Sequence, residues 1–270
     1  MNKTLLKYEL SPQVTAFSTT RVAPYDVSAE DILQMDTYAA FNVTHYCGDC
    51  PKRVERNKQW LCNELGINES QLWLPRQTHT ANVRCIDSHF LTLTSKEQQM
   101  QLQDIDALIT NLPQHCIGVS TADCVPILII DEKQKAIAAI HAGWRGTVQK
   151  IVLNVLQQMH SQYGTLPQNC RAIIGPSISV EAFEVGPEVV SAFYDAGFPV
   201  SIVSENSHNK SLRPHIDLWA ANAFLLEQAG LTLNNIQIAG ICTFNHSDTF
   251  FSARKMGIDS GRIFTAIMLK

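Results

Sequence analysis

Three short segments hold the side chains best suited to chemistry: Arg76-Gln77-Thr78-His79, Thr121-Ala122-Asp123-Cys124-Val125-Pro126 and His141-Ala142-Gly143-Trp144-Arg145-Gly146-Thr147. Each lies at the edge of a strand-like run or in a turn. Two imidazoles and one thiolate suit zinc, because three protein ligands leave the fourth tetrahedral position open, as in catalytic rather than structural sites. Other readings stand beside this one. His79 and His141 fit ordinary, partly buried histidines, and Cys124 fits a core thiol. With Cys124 as nucleophile and His141 or His79 as base, the same residues make a metal-independent Cys-His hydrolase or deamidase. A zinc-stabilised binding module without turnover is a third class. Spacing does not choose among them, since ligands gathered from distant turns follow no local rule. Cys47 and Cys50 form a C-x-x-C, but no second such pair accompanies it.

The elements around these segments must bring them together. His141 directly follows the strand-like run 136–140, and Gly143 and Gly146 let the chain turn sharply into a helix beginning near Thr147, a candidate N-cap. That arrangement presents a side chain at the end of a sheet. Runs rich in β-branched residues predict strands over 14–19, 82–86, 107–110, 116–120, 126–130, 136–140, 171–174, 200–203, 236–242 and 264–269. One helix is expected from Pro51, with Val54, Leu61 and Leu65 on one stripe and Gly66 as its stop. Another is expected from Thr147, burying Val148, Ile151, Val152, Val155, Leu156 and Met159 and stopping at Gly164. Shorter helices are expected over 187–196 and 217–229, ending at Gly197 and Gly230, while the polar stretches 88–103 and 204–213 read as loops. Strands outnumber helices and are not followed by a helix in turn, so a doubly wound parallel sheet is disfavoured. The expected fold is α+β, a single domain over 1–270 with mixed β-sheets packed together and flanked by helices.

Composition removes several classes of function. With 270 residues, 45% hydrophobic and 17% charged, the chain buries a full core without disulfides. Its 21 basic and 25 acidic residues give a net charge of -4 with no basic block, so nucleic acid is not an expected partner. The longest strongly apolar run, Val125 to Ile130, is far shorter than the roughly 20 residues that cross a bilayer, so no membrane partner is expected. The first ten residues, MNKTLLKYEL, lack the apolar stretch and cleavage site of a secretory signal, which points to the cytoplasm. Eight irregularly spaced cysteines then read as free thiols in a reducing compartment.

The three segments also resemble a known family, through most of the chain. The resemblance starts at Phe17-Ser18-Thr19-Thr20-Arg21, continues through Asn42, His45, Gly48-Asp49 and Asn57, and includes Asp106-Ala107-Leu108-Ile109-Thr110. Thr-Ala-Asp-Cys-Val-Pro at 121 to 126 and His-Ala-Gly-Trp-Arg-Gly-Thr at 141 to 147 are its most specific pieces. Ile174-Gly175-Pro176-Ser177-Ile178, Phe183-Glu184-Val185-Gly186, Cys242-Thr243, Phe250-Phe251-Ser252-Ala253-Arg254 and Gly261-Arg262 complete it. All resemble the YfiH-like proteins, called laccase-domain or polyphenol oxidase proteins and regarded as zinc-dependent purine nucleoside phosphorylases.

The resemblance implies His79, Cys124 and His141 as zinc ligands, with purine nucleosides and phosphate as substrates. It implies phosphorolysis of adenosine, inosine and methylthioadenosine, and deamination of adenosine. Asp123 becomes a proton shuttle or, beside the thiolate, a hydrogen-bond acceptor. Arg21, Arg145 and Arg254 become candidates for clamping phosphate, since arginine offers paired donors. Asn42 and His45 become candidates for binding ribose or base. A monomer or weak dimer is expected. Two departures stand out: Val22-Ala23 replaces the Gly-Gly that usually follows the early arginine, and Thr80 replaces the glycine that usually follows the first histidine ligand. Cys47 and Cys50 stand where the family usually has none, which makes them incidental. A multicopper oxidase meets a chemical difficulty, for the nine histidines include no His-x-His pair. One His/Cys/His site still takes copper in vitro, because Cu²⁺ outcompetes Zn²⁺ at most nitrogen sites.

Overall fold

The computed structural model describes residues 4–25, 36–204 and 213–270. Burial of period two organises it. In β7 (Val125–Asp131), Ile127 and Ile129 enter one apolar cluster while Leu128 and Ile130 enter another, and all four are fully buried. A strand apolar on both faces needs packing on both sides. β7 therefore lies inside a six-stranded sheet with β4 (Val83–Cys85), β5 (Ala107–Thr110), β8 (Ala136–Ala142), β9 (Cys170–Ile174) and β12 (Ile236–Ile238). The order is β12-β9-β7-β8-β5-β4, antiparallel at its centre and parallel at both edges.

A second, five-stranded sheet has the order β1-β2-β13-β6-β3, from β1 (Leu5–Tyr8), β2 (Val14–Thr19), β3 (Leu72–Trp73), β6 (Cys116–Thr121) and β13 (Ile263–Leu269). Between the sheets, Ala16, Ile117, Val119 and Ile267 meet Leu108, Leu128, Ile137 and Ala139. The outer face of the five-stranded sheet puts Phe17, Phe264 and Met268 against Leu61 and Cys62 of α1 (Pro51–Leu65). The outer face of the six-stranded sheet packs on Ile151, Val155 and Met159, and on Ala221 and Leu225. The layers thus run helix, sheet, sheet, helices. This is the expected α+β fold, mixed sheets included.

The strand expectations hold to within two residues, except at two places. Residues 200–203 form a 3-10 turn, Val200–Ile202, followed by β10 (Val203–Ser204), which pairs with β11 (His215–Ile216). The strand expected over 236–242 stops at Ile238, because it has a partner on one side only and Gly240 turns left-handed at φ +65°. The stretch 88–103 is no loop: it folds as α2 (Ser88–Thr92) and α3 (Ser95–Gln101). Its polarity reflects exposed helix surface, and its start signals are side-chain caps. Asp87 accepts the Phe90 N–H, and Thr94 with Glu97 forms a capping box. Of the loop expected over 204–213, residues 205–212 lie outside the described residues.

Thr147 is not an N-cap. The helix begins at Trp144 behind Gly143, giving α4 (Trp144–Val148). Lys150 at φ +59° breaks it before α5 (Ile151–Tyr163). Thr147 is instead buried, its hydroxyl accepting from Asn222 Nδ2 at 3.1 Å. Among the described residues the remaining helices are α6 (Pro187–Asp195), α7 (Leu218–Gln228), capped by Asp217, and the short α8 (Ala253–Met256), capped by Ser252. All eight cysteines are free thiols.

Candidate active site

Register brings two of the three candidate ligands to one sheet end. On the β7–β8 ladder Pro126 opposes His141, and Cys124 lies in the short crossing from β6 to β7, just before that ladder begins. His79 arrives from the segment between β3 and β4, at φ +66°. Its Nε2 lies 3.8 Å from Cys124 Sγ, and its ring meets that of His141 edge to face with centroids 4.9 Å apart. The three ligand atoms lie within 4.8 Å of one another. Among the described residues they are the one group of three or more His, Cys, Asp or Glu side chains placed to hold a metal.

Fine geometry suits a metal. His141 is buried, and its Nδ1 lies 2.7 Å from Asp106 Oδ1. The carboxylate holds the proton on Nδ1 and leaves the Nε2 lone pair for the cluster, as outer hydrogen bonds do for ligating histidines. Burial alone would push the Cys124 thiol up, but the two imidazoles outweigh it and draw the thiol down toward the thiolate. Burial likewise disfavours charge on His141, yet Cys124 and Asp106 raise it above the usual imidazole range. Gly143 supplies the space: a Cβ there would sit 3.0 Å from His79 Cδ2 and 3.1 Å from Cys124 Sγ. Two imidazole nitrogens and a sulfur held this way form a donor set fit for a borderline-soft cation.

The cluster opens into a cavity of 140 Å³ whose other walls include Tyr46, Gln77, Ala253, Ile258 and Arg262. Burial pushes the Tyr46 phenol up to about 12, so it stays protonated, and it donates to Gln77 Oε1 at 3.1 Å. Gln77 in turn donates to Ser120 O at 2.7 Å and accepts the Ser120 N–H at 2.8 Å, which ties this wall to β6.

The other expected site residues are more dispersed. Asp123 sits beside Cys124 at φ +85°, but its carboxylate is taken by the Thr243 hydroxyl and the Arg254 N–H, both at 2.7 Å. Arg254 donates to Glu184 O at 3.2 Å and lies over Phe183. The exposed Arg145 stacks over Trp144. Arg21 is spent on Ala39 O and Ser247 O. Asn42 is fully buried, donating to Asp49 Oδ2 and accepting the N–H groups of Thr44 and Arg262. His45 lines a separate cavity of 390 Å³ with Lys58 and Glu69. None of these six lines the cavity at the cluster.

The family model of multi-copper polyphenol oxidoreductase laccases matches residues 28–270. The chain belongs to this laccase-type, YfiH-like family. Among its relatives, a purine nucleoside phosphorylase of Bacteroides thetaiotaomicron is 45% identical over 232 residues, which is 86% of each chain. Adenosine deaminase RL5, from an unknown prokaryotic organism, is 42% identical over 258 residues, 95% of this chain and 94% of its own. The fold of the hypothetical protein YfiH from Bacillus licheniformis superposes with a TM-score of 0.87 at 23% identity, covering 99% of this chain and 97% of that one.

Several residues of this YfiH-like cavity escaped the reading from sequence. Tyr46 and Ile258 have no motif of their own, and they meet Gln77, which stands two residues before His79, only in three dimensions. Arg262 stands in the two-residue match Gly261-Arg262, too short to mark it out beside the segments that carry Arg21, Arg145 and Arg254. Asp106 did leave a signal: a carboxylate heading the fully buried strand Ala107–Thr110 needs a partner, and that partner is His141.

Proposed function

We propose that this YfiH-like protein is a purine nucleoside phosphorylase that also deaminates adenosine, with zinc held by His79, Cys124 and His141. The observation that carries the proposal is the convergence of two imidazoles and a thiolate on one cavity, one imidazole fixed by a buried carboxylate. The reaction class is supported by the names of two relatives above 40% identity, a purine nucleoside phosphorylase and an adenosine deaminase. Zinc held by these three residues would supply Lewis acidity to the cavity.

The chain's own residues supply the rest. Asp106 keeps the proton on His141 Nδ1. Ala253 and the exposed Ile258 offer apolar surface to a purine ring. Arg262 brings a positive charge to the cavity wall, held there by bonds to Gly261 O and Ile258 O at 2.9 Å. It is the better candidate for drawing in phosphate, since Arg21, Arg145 and Arg254 do not line the cavity. Asp123 serves by fixing the turn that carries Cys124, and Tyr46 takes the wall where Asn42 and His45 were expected. In this reading residues 1–270 act as one laccase-type domain in the cytoplasm, as a monomer or weak dimer. Copper enters the same donor set in vitro, and oxidase activity is then incidental.

A nucleoside panel followed by liquid chromatography tests the reading. Zinc-loaded protein with adenosine and phosphate should release adenine and ribose 1-phosphate, and inosine should form by deamination. Both activities should vanish on chelation and return with zinc. Metal-free turnover blocked by thiol alkylation would favour the Cys124 nucleophile instead. Bound metal with no nucleoside consumed would favour a binding module.

A further inference from the structure

One buried carboxylate ties two of the three candidate ligands together. Asp106 is fully buried at the head of β5. Its Oδ1 accepts from His141 Nδ1 at 2.7 Å and from the His79 N–H at 3.0 Å. Its Oδ2 accepts the Thr80 N–H at 2.8 Å, the Thr80 hydroxyl at 2.7 Å and the Thr78 N–H at 3.3 Å. The backbone adds another link, as Asp106 O accepts the His141 N–H at 2.8 Å. The turn 78–80 is thus wound around the same carboxylate that orients the His141 ring.

That winding answers a physical problem. His79 adopts φ +66°, which a residue with a side chain takes up only where its surroundings over-determine it. His79 is also exposed, so packing does little to hold it. The hydrogen bonds to Asp106 do. Thr80 contributes through its hydroxyl as well as its N–H, and the Asn82 N–H donates back to that hydroxyl at 3.2 Å.

We propose that Asp106 and the Thr80 hydroxyl form a positioning unit that sets His79 and His141 in ligating geometry before the ion arrives, so that metal affinity depends on it. The inference rests on the metal reading above. Ligands already ordered lose less entropy on binding, and outer-shell partners of metal ligands typically matter about 10- to 100-fold in affinity. An asparagine at 106 cannot substitute, because in either orientation its NH₂ faces donors: His141 and His79 on one side, Thr78 and Thr80 on the other.

The test is a zinc titration of metal-free protein against a chelating dye, with wild type, Thr80→Val, Thr80→Ser and Asp106→Asn. Cobalt(II) absorption of each variant gives a second readout of ligand geometry. Thr80→Val keeps the side-chain shape and should weaken zinc binding by about 10-fold, with altered cobalt bands, and Thr80→Ser should restore both. Asp106→Asn should lose about 10- to 100-fold. Should Asp106→Asn fail to fold, the Thr80 pair decides the matter. A merely structural role would lower the melting temperature of the metal-free variants while leaving zinc affinity and cobalt spectra at wild-type values, and that result would overturn the inference alone. A wild-type chain that binds no zinc would overturn the metal reading and this inference with it.

Discussion

Replacing Gly143 with alanine should perturb the ligand cluster while sparing the backbone. Gly143 precedes α4 at φ -66° and ψ 168°, a conformation open to any L-residue. The added Cβ would meet His79 Cδ2 at 3.0 Å and Cys124 Sγ at 3.1 Å. Carbon contacts settle at about 3.5–4.0 Å, so each neighbour must retreat by roughly half an ångström. Metal–ligand distances tolerate only about 0.2 Å. In the metal-free protein the exposed His79 can swing aside, so the fold should lose little. In the loaded protein both ligands are tethered, and overpacking of this kind costs about 1–3 kcal/mol. Taken from binding, that is roughly a 5- to 150-fold rise in the zinc Kd. Chelator competition measures the Kd, and thermal melts with and without zinc separate binding from folding. Wild-type zinc affinity in Gly143→Ala would refute the argument that this glycine makes room for the site.

Arg21→Met should lower the melting temperature by several degrees, since carbonyls left unpaired in a part-buried site cost about 1–3 kcal/mol, and should leave the phosphate KM unchanged. A raised phosphate KM in a protein of full stability would return Arg21 to the substrate. Arg262→Met should raise the phosphate KM more than Arg254→Met does, read from steady-state phosphorolysis at varied phosphate. The reverse ranking would put the clamp at Arg254. Burial would raise the Asp106 carboxyl, but the bonds from His141 and Thr80 hold it at about 2, below the roughly 3.9 of an unfolded chain. Its folded pKa is depressed, so its contribution to stability is present above about pH 4 and is lost as pH falls toward about 2. Denaturant melts of metal-free wild type and Asp106→Asn should therefore converge over that window, and a gap that stays constant would contradict the assignment.

Legibility in the sequence followed how local each signal was. β7 and β8 announce themselves because both faces are apolar, and α1 because proline opens it and Gly66, at φ +68°, closes it. The helices over 88–101 were hidden because α2, five residues long, buries only Phe90 and α3 buries nothing, so no apolar stripe repeats, and only Asp87, Thr94 and Glu97 mark their starts. Pairs such as Val203–Ser204 with His215–Ile216 are too short for any periodicity. The three candidate ligands stood out as reactive residue types in turns, yet their meeting depends on the β7–β8 register and on Asp106, which spacing does not encode. The arginines were the least legible part. Arg21, Arg145 and Arg254 stand out by motif but do not line the cavity, whereas Arg262, itself bonded to the carbonyls of Ile258, Ser260 and Gly261, does.

A metal at His79, Cys124 and His141 is central to this function, and metal analysis of protein purified without added metal tests for it most directly. Wild type should carry about one zinc per chain. Cys124→Ser, which replaces a thiolate with a hydroxyl that stays protonated, should carry almost none while remaining folded. Full zinc occupancy in Cys124→Ser, or wild-type protein that neither carries zinc nor takes it up, would contradict the account.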